Sequence, residues 1–212
     1  MQPLYINVAS SYYVLEEFIN IDNSPWLMMT SFYPFLRYLL KPSHRALLET
    51  YREASNKAKL IRYDCRKPLQ FRENSVDHIL CSHFLEHVYY SEAMIITRNF
   101  HNILRPGGTA HIIVPDLAKQ ISHYLDKQGE PAAANDLLSW TLLTRVEQPS
   151  FTFRFLEFIS GFGLQHRWLY DVASMTNMLE ENKFIIIRTN DTPSKNFRKD
   201  DGSLHIVVQK PL

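Results

Sequence analysis

The spacing of hydrophobic and polar residues predicts strands that alternate with helices along most of the chain. Seven short apolar runs bounded by polar or turn residues predict strands, at 4–8, 18–22, 59–63, 76–81, 109–114, 184–188 and 204–209. Apolar residues at helical spacing mark three longer segments, at about 43–54, 91–105 and 172–182. Because strands joined by helices pair in parallel, the pattern predicts an α/β fold whose strand ends meet at one edge of a sheet.

Two segments lie outside this alternation. Residues 117–165 are rich in Leu and Phe, and we expect them to be mostly helical with no strand of their own. We therefore predict one domain over residues 1–212, in which 117–165 form a helical cap insertion. The polar span 190–203 is predicted to be a hairpin loop, because short apolar strands flank it.

Composition and charge narrow the possible classes of protein. A chain of 212 residues that is 45% hydrophobic and 21% charged is long enough for one domain with a sizeable core. A net charge of +1 creates no general attraction to nucleic acid, so we expect no nucleic-acid partner. The most apolar run, 26–40, contains Pro34 and Arg37 and is too short to span a bilayer.

The cysteines and the amino terminus favour a cytoplasmic location. Only Cys65 and Cys81 occur, and they lie on separate predicted strands, which is typical of a reducing compartment rather than of a disulfide scaffold. The first ten residues contain no basic segment followed by an apolar one, so no secretory signal is predicted.

Acidic, hydroxyl and imidazole side chains follow several of the predicted strands. Asp22 closes the second strand, Asp64 and Cys65 follow the third, and Ser82 and His83 follow the fourth. Because the carboxyl ends of parallel strands form the ligand-binding edge of open α/β sheets, these residues predict a site at that edge.

Five motifs then follow one another in order along residues 64–116. They are Asp64-Cys65-Arg66-Lys67-Pro68-Leu69-Gln70-Phe71, Asn74-Ser75-Val76-Asp77, Ser82-His83-Phe84-Leu85-Glu86-His87, Leu104-Arg105-Pro106-Gly107-Gly108 and a strand ending in Val114-Pro115-Asp116. This series resembles the class I S-adenosylmethionine-dependent methyltransferases, and within them it is most similar to the small type 11 group. The segment His166-Arg167-Trp168-Leu169-Tyr170-Asp171, with a helix and two strands after it, fits the same family.

The resemblance implies both a fold and an activity. The fold would be a Rossmann-like, doubly wound, seven-stranded sheet, mostly parallel with an antiparallel C-terminal hairpin and with helices on both faces. The activity would be methyl transfer from S-adenosylmethionine to a small-molecule or glycan acceptor. Neither the acceptor nor the oligomeric state follows from the sequence, because a fold does not fix its substrate.

The resemblance also assigns residues to the cofactor. Asp22 would accept hydrogen bonds from the two ribose hydroxyls, and Asp64 from the adenine amine, with Cys65 against the ring. Ser82 and His83 would line the methionine end of the cofactor, and the first loop would contribute Asn7, Ala9, Ser10 and Ser11. The simpler alternative is that Asp22 and Asp64 only begin polar turns, as Asp often does.

The first loop departs from the family pattern. Ala9 and Ser11 stand where the family usually has two glycines, which allow backbone to approach the cofactor closely. If either position requires a positive φ, a residue other than glycine is strained there. Two hypotheses follow: a loop that has adapted and still binds, which we favour, or a methyltransferase-like interaction module that has lost cofactor binding.

Two histidines are candidate catalytic residues. His83 could act as general base for an accepting hydroxyl, since imidazole titrates near neutrality. His166 lies directly after the predicted cap, where a base role competes with a role in tying the cap to the sheet. The aromatic residues of 151–170 would line an acceptor pocket in the first case and form the core of the cap in the second.

His83, Glu86 and His87 also match the His-x-x-Glu-His pattern of inverted zinc peptidases, which makes a zinc hydrolase the remote alternative. That pattern requires a helix that presents both histidines on one face. Because the flanking strands fit the methyltransferase series, we expect no metal ligands.

Residues 41–72 contain nine Lys or Arg against three acids. The segment could bind an anionic acceptor or a membrane surface. A solvated helix face, with Glu49 and Glu53 among Arg45, Arg52 and Lys57, is the interpretation we favour.

Overall fold

The computed structural model describes residues 2–144, 151, 154, 165–189 and 202–212. The strands are β1 (Tyr5–Val8), β2 (Phe18–Asp22), β3 (Leu60–Arg62), β4 (Val76–Ser82), β5 (Leu104–Pro115), β6 (Ile185–Thr189) and β7 (Ser203–Gln209). The α-helices are α1 (Pro25–Met29), α2 (Tyr33–Leu39), α3 (Pro42–Lys57), α4 (Tyr90–Ile103), α5 (Leu117–Asp126), α6 (Ala133–Thr141) and α7 (Val172–Glu181). Single 3-10 turns lie at Thr30–Phe32 and Leu85–His87.

All seven strands form one sheet in the order β3-β2-β1-β4-β5-β7-β6. The pairs from β3 to β5 are parallel, whereas β7 runs antiparallel between β5 and β6. The predicted seven-stranded, mostly parallel sheet with an antiparallel C-terminal hairpin is therefore confirmed. Strand order reverses between β1 and β4, where ligands bind in folds of this kind.

One face of the sheet carries the main hydrophobic core. Alternate strand residues point into it because side chains alternate between the two faces of a strand. Helices α4 and α7 cover this face with fully or nearly fully buried side chains: Ala93, Ile96, Phe100, Ile103, Met175, Met178 and Leu179. This core fixes the central strands and therefore the positions of their carboxyl ends.

The opposite face is more polar around β1 and β2. The side chains of Asn7 and Asn20 are buried there, and Asn7 Nδ2 donates to Asn20 Oδ1 at 3.0 Å. Residues 9–17 connect these two parallel strands without a helix, although such crossovers usually take a dozen or more residues. The Asn20 side chain holds the connection instead, accepting from Leu15 N at 2.9 Å and donating to Leu15 O at 3.0 Å.

The start of β5 differs from the prediction. A strand was expected over 109–114, whereas β5 begins at Leu104, directly after α4, and includes the Pro-Gly-Gly segment. Gly108 permits this close approach, because a Cβ there would lie 2.9 Å from the Arg105 carbonyl and 3.0 Å from the Val76 carbonyl. The helix therefore ends where the strand pairing with β4 begins, at Leu104 beside Val76.

Three further expectations can be compared with the described residues. Both cysteines are free and buried. Among the helices of the described ranges, none is long and apolar enough to cross a bilayer. Most of the predicted hairpin loop, residues 190–201, lies outside the described residues, as does much of the second half of the predicted cap.

In the basic segment, two of the three cations of the predicted solvated face are exposed and Arg45 is half-buried, and the absence of a partner stays a prediction. The side chains of Arg52 and Lys57 are exposed on α3, and the Arg52 guanidinium lies 4.7 Å from the centre of the Tyr33 ring. Leu48, Tyr51 and Ala54 form the buried side of the same helix.

Candidate functional site

Backbone strain marks the carboxyl ends of the two central strands. Six non-glycine residues in the described part of the chain have positive φ. Ala9 (φ 53°) and Ser11 (φ 51°) follow β1, and His83 (φ 51°) follows the neighbouring strand β4. A left-handed conformation costs an ordinary residue about 1–2 kcal/mol, and such strain clusters at ligand-binding sites. Within the loop after β1, the two positions predicted to replace glycines are thus the ones that adopt a backbone suited to glycine.

Asp22 lies at the end of β2 and faces the strained loop. Its Oδ2 accepts from Ser11 N at 2.9 Å, and its Oδ1 accepts from Ser24 N at 2.7 Å. Burial raises the pKa of Asp22, while the two backbone hydrogen bonds favour its ionised form. The left-handed conformation of Ser11 therefore directs its N–H group at the Asp22 carboxylate.

Tyr51 of α3 completes this end of the site. Its hydroxyl lies 2.9 Å from Ser11 Oγ, so Ser11 contacts both Asp22 and Tyr51. Burial, with a smaller contribution from the charge of Asp22, raises the pKa of Tyr51 to about 12. A neutral phenol therefore stands beside the carboxylate, and Asp22 is only 5% exposed.

Asp64 and Cys65 follow β3 as predicted, but both have partners within the chain. Asp64 Oδ2 pairs with Arg66 Nη2 at 2.7 Å, and Oδ1 accepts from Arg66 Nε at 2.9 Å. Burial alone would raise the pKa of Asp64, but its hydrogen bonds with Arg66 and the charge of that side chain lower it. Cys65 is buried with Sγ 3.9 Å from the Ile21 carbonyl, and burial raises its pKa to about 12.

Three further residues were predicted to bind the cofactor, Asn7, Ser10 and Ser82, and they differ in their exposure and contacts. Asn7 donates to the Tyr13 carbonyl at 2.9 Å, which holds the loop from inside the sheet face. Ser10 donates its N–H to the Ile21 carbonyl at 3.0 Å and is also buried. Ser82, by contrast, closes β4 half-buried beside His83. The roles of Asn7 and Ser10 in binding stay predictions, and their contacts here are structural.

His83 lies between two segments that are distant in the sequence. Its Nδ1 is 3.2 Å from Glu86 Oε1, and its Nε2 is 3.3 Å from Ser203 Oγ at the start of β7. Its side chain is 46% exposed, whereas Glu86 is fully buried. The imidazole is therefore held in place while part of it stays accessible.

The turn after β4 binds the segment around His166. The Glu86 carbonyl accepts from Arg167 N at 2.7 Å and from Trp168 N at 3.2 Å. The rings of His87 and His166 meet edge to face with their centres 4.9 Å apart. Burial, with smaller effects of neighbouring groups, lowers the pKa of His166. The structure thus brings His166 to the same turn as His83.

The described part of the predicted cap is attached to this turn. Helices α5 and α6 precede Leu142 and Leu143, whose carbonyls accept from His166 N at 3.1 Å and Gln165 Nε2 at 3.5 Å. Phe151 is exposed, and the Trp168 ring packs against Tyr90 at a tilt of 48° with ring centres 5.2 Å apart. Tyr170, the last aromatic residue of this run, is fully buried. The remaining four, Phe153, Phe155, Phe158 and Phe162, lie outside the described residues.

Sequence reasoning missed several residues of this edge. They are Ser24, Tyr51, Arg66 and Ser203. The proximity of Arg66 to Asp64 was a local signal for their pairing. Tyr51 and Ser203 had no such signal, because they reach the site from distant parts of the sequence.

The zinc-peptidase pattern does not have the required secondary structure. Leu85–His87 is a single 3-10 turn, and His83 lies before it rather than on a helix with His87. The remote hydrolase hypothesis therefore loses the helix face on which it depends.

Comparison with known proteins adds a family model and structures of similar fold. Residues 38–112 match a model described as a methyltransferase domain, which confirms the resemblance stated from the motifs. None of the curated proteins searched matches the chain.

Several solved structures share the fold at low sequence identity. A SAM-dependent methyltransferase from Methanosarcina mazei aligns with a TM-score of 0.54 at 13% identity, over 100% of this chain and 95% of that one. An S-adenosylmethionine-dependent methyltransferase from Mesorhizobium loti gives 0.52 at 16% identity, over 97% and 90%. A complex of the Haloferax volcanii Trm112 methyltransferase activator and a putative methyltransferase gives 0.53 at 13%, over 99% and 83%. These similarities show the fold.

Proposed function

We propose that this chain, whose family match and fold support an S-adenosylmethionine-dependent methyltransferase, transfers a methyl group to a small-molecule or glycan acceptor. The donor would lie across the carboxyl ends of β2, β1 and β4, where the strand order reverses. When bound, it supplies an electrophilic methyl group on a sulfonium.

The observation that carries the proposal is the loop after β1. Ala9 and Ser11 keep a left-handed backbone without glycine, and Ser11 directs its N–H at Asp22. A chain that had lost binding would have no need for two strained residues beside a buried carboxylate. We therefore prefer an adapted binding loop to the interaction-module alternative.

Asp22 fits the ribose of the donor. A carboxylate has about four acceptor positions, and the two backbone donors leave room for two further hydrogen bonds. Tyr51 would have to move its hydroxyl aside or share Ser11 with the ligand. The role of Asp64 in binding adenine is a weaker part of the proposal, because Arg66 already occupies both of its oxygens.

His83 is the proposed general base. Its partly exposed imidazole is oriented by Glu86 and Ser203, and a base held in this way can take a proton from an accepting hydroxyl. As the acceptor oxygen forms its bond to the methyl carbon, the carbon–sulfur bond breaks and its electron pair stays on sulfur. The proton of the acceptor passes to His83. His166 would position the cap or the turn rather than act as the base.

The cap is proposed to shield this reaction from water. Methyl transfer benefits from a closed site, and residues 165–168 attach the end of the 117–165 region to the turn after β4. This attachment supports a cap over the strand ends with His166 and Arg167 at its hinge. A cytoplasmic location is likewise a prediction.

The proposal is tested with donor labelled in the methyl group and a panel of hydroxylated small molecules and glycans. We expect transfer to at least one class of acceptor. His83→Asn, which keeps a residue tolerant of positive φ, should lower kcat at least about 100-fold while donor affinity changes less than about threefold. His44→Gln, an exposed change on α3, is the matched control. Donor binding without transfer to any acceptor would favour the interaction module.

A further inference from the structure

The turn after β4 holds a polar cluster whose capacity to bind an ion the proposed methyl transfer does not use. We call Glu86, His87 and His166 the β4 cluster. One potential ligand atom from each of the three lies within 4.8 Å of the others. Two of the residues are adjacent in sequence, whereas His166 comes from beyond the predicted cap.

Two buried atoms of the β4 cluster lack hydrogen bonds. Glu86 is fully buried, and its Oε2 has no partner among the described residues, while Oε1 faces His83. His166 is 7% exposed, and its Nδ1 also has no partner in the described structure. Leaving a buried carboxylate oxygen and a ring nitrogen unsatisfied is costly, so the pair indicates a missing ligand.

His87 and His166 each have one ring nitrogen available for metal coordination. His87 Nδ1 lies 3.3 Å from the Gln165 carbonyl, which can only accept, so Nδ1 carries the proton and Nε2 keeps its lone pair. His166 Nδ1 is buried without a partner in the described structure, so it is the ring nitrogen available to an ion. Histidines that bind metals usually donate their second nitrogen to a carbonyl or carboxylate, as His87 does.

We propose that Glu86, His87 and His166 bind one divalent transition metal ion of the zinc class. Two imidazole nitrogens and one carboxylate oxygen are a common ligand set for zinc, and three protein ligands leave a fourth position open. Small side-chain rotations would bring the three atoms to bonding distance. The buried hydroxyl of Tyr170 also has no partner in the described structure.

The open fourth coordination position would give the proposed metal ion a role in methyl transfer. Because the cluster adjoins His83 through Glu86, an acceptor oxygen bound to the ion would lie at the end of β4, near the proposed base. This second step rests on the proposed function, whereas metal binding does not.

Cobalt is the most direct probe. The metal-free protein is titrated with Co²⁺ and followed by its visible absorption, and zinc is then added in competition, with no methyl donor present. We expect one equivalent of ion per chain, and at least about tenfold weaker binding in Glu86→Gln and in His166→Gln. His44→Gln should bind as the unmodified protein does.

A thermal measurement guards against variants that fold poorly. Because zinc would bind only the native state, the same zinc concentration should raise the Tm of the unmodified protein and of His44→Gln more than that of Glu86→Gln. Absence of one-equivalent binding in the unmodified protein, or equal binding by all variants, would overturn the metal site. Donor titration of the same samples is a separate measurement, so failure of the metal site leaves the proposed function open to its own test.

Discussion

The site has two regions, one after β1 and β2 and one after β4, and they differ in how completely their polar groups are hydrogen-bonded. After β1 and β2, both oxygens of Asp22 accept backbone hydrogen bonds, and Ser11 joins Asp22 to Tyr51. After β4, Glu86 Oε2 and His166 Nδ1 are buried with no partner among the described residues. Both ends carry strained residues, but within the described ranges it is the β4 end that has buried polar atoms without a partner.

This difference separates two kinds of site. A carboxylate already oriented by backbone donors is suited to neutral hydroxyl groups, which add hydrogen bonds without adding charge. A buried carboxylate beside two imidazoles is suited to a cation. The β1 and β2 end would therefore hold the sugar of the donor, and the β4 end would act on the acceptor.

The largest expected effect is on donor affinity at the β2 end. Asp22→Ala removes a charged acceptor and should weaken S-adenosylmethionine binding by roughly 1.5–3 kcal/mol, or about 10- to 150-fold. Asp77→Ala is the matched control, because Asp77 also accepts a backbone hydrogen bond, from Leu4 N at 2.7 Å, but lies at the opposite end of β4. Calorimetric titration measures both.

Unchanged affinity in folded Asp22→Ala would show that the donor does not use this carboxylate. If that variant is too unstable to purify, Asp22→Asn removes the charge with little change of shape. An equal loss in Asp77→Ala would mean that the effect is a general loss of stability.

Backbone strain in the loop after β1 predicts an unusual response to glycine. Ala9→Gly should leave the free energy of unfolding unchanged or raise it by up to about 1 kcal/mol, because relief of positive φ offsets the greater freedom of the unfolded chain. Ala110→Gly, at a fully buried position of β5, should lower it by about 1 kcal/mol. Equal losses in urea denaturation would contradict the strained loop.

The Tyr51 hydroxyl belongs to the hydrogen-bonded region after β1 and β2. Tyr51→Phe removes the hydroxyl that contacts Ser11 Oγ and should lower the free energy of unfolding by about 1 kcal/mol. Donor affinity should stay the same or rise up to about threefold, because the phenol competes with ligand hydroxyls. A tenfold loss of affinity in calorimetry would instead make Tyr51 a ligand-binding residue.

The smallest expected effect is at Ser11. Ser11→Gly keeps the N–H that reaches Asp22, so donor affinity should change by twofold or less. A larger loss, measured beside Ala9→Gly, would mean that the serine hydroxyl contacts the donor.

Local sequence pattern predicted the fold far better than the site. The short apolar runs identified all seven strands, and the segment that ends at Asp171 leads into a helix as expected, with Asp171 accepting from Ser174 N at 2.8 Å at the start of α7. The early start of β5 was missed because the close packing at Gly108 depends on contact with the neighbouring strand β4, which local sequence does not show. The short helices α1 and α2 were missed because an aromatic run has no clear period.

The candidate site depended on contacts that no local pattern encodes. The end of β2 correctly marked Asp22 as a strand-end carboxylate, since spacing alone positions it. The contacts of Tyr51 with Ser11, and of residues 165–168 with Glu86, join segments far apart in the sequence. These long-range contacts determine which buried polar atoms have hydrogen-bond partners, so the sequence alone could not identify the unpaired ones.

Direct titration of the unmodified protein with S-adenosylmethionine and S-adenosylhomocysteine tests the central claim. The account predicts one site per chain with affinity in the micromolar range, and clear weakening of both ligands in Asp22→Ala but not in Asp77→Ala. Absence of binding by the folded protein, with binding restored when Ala9 and Ser11 are both replaced by glycine, would contradict an adapted loop. It would identify the chain as a methyltransferase fold that has lost its donor.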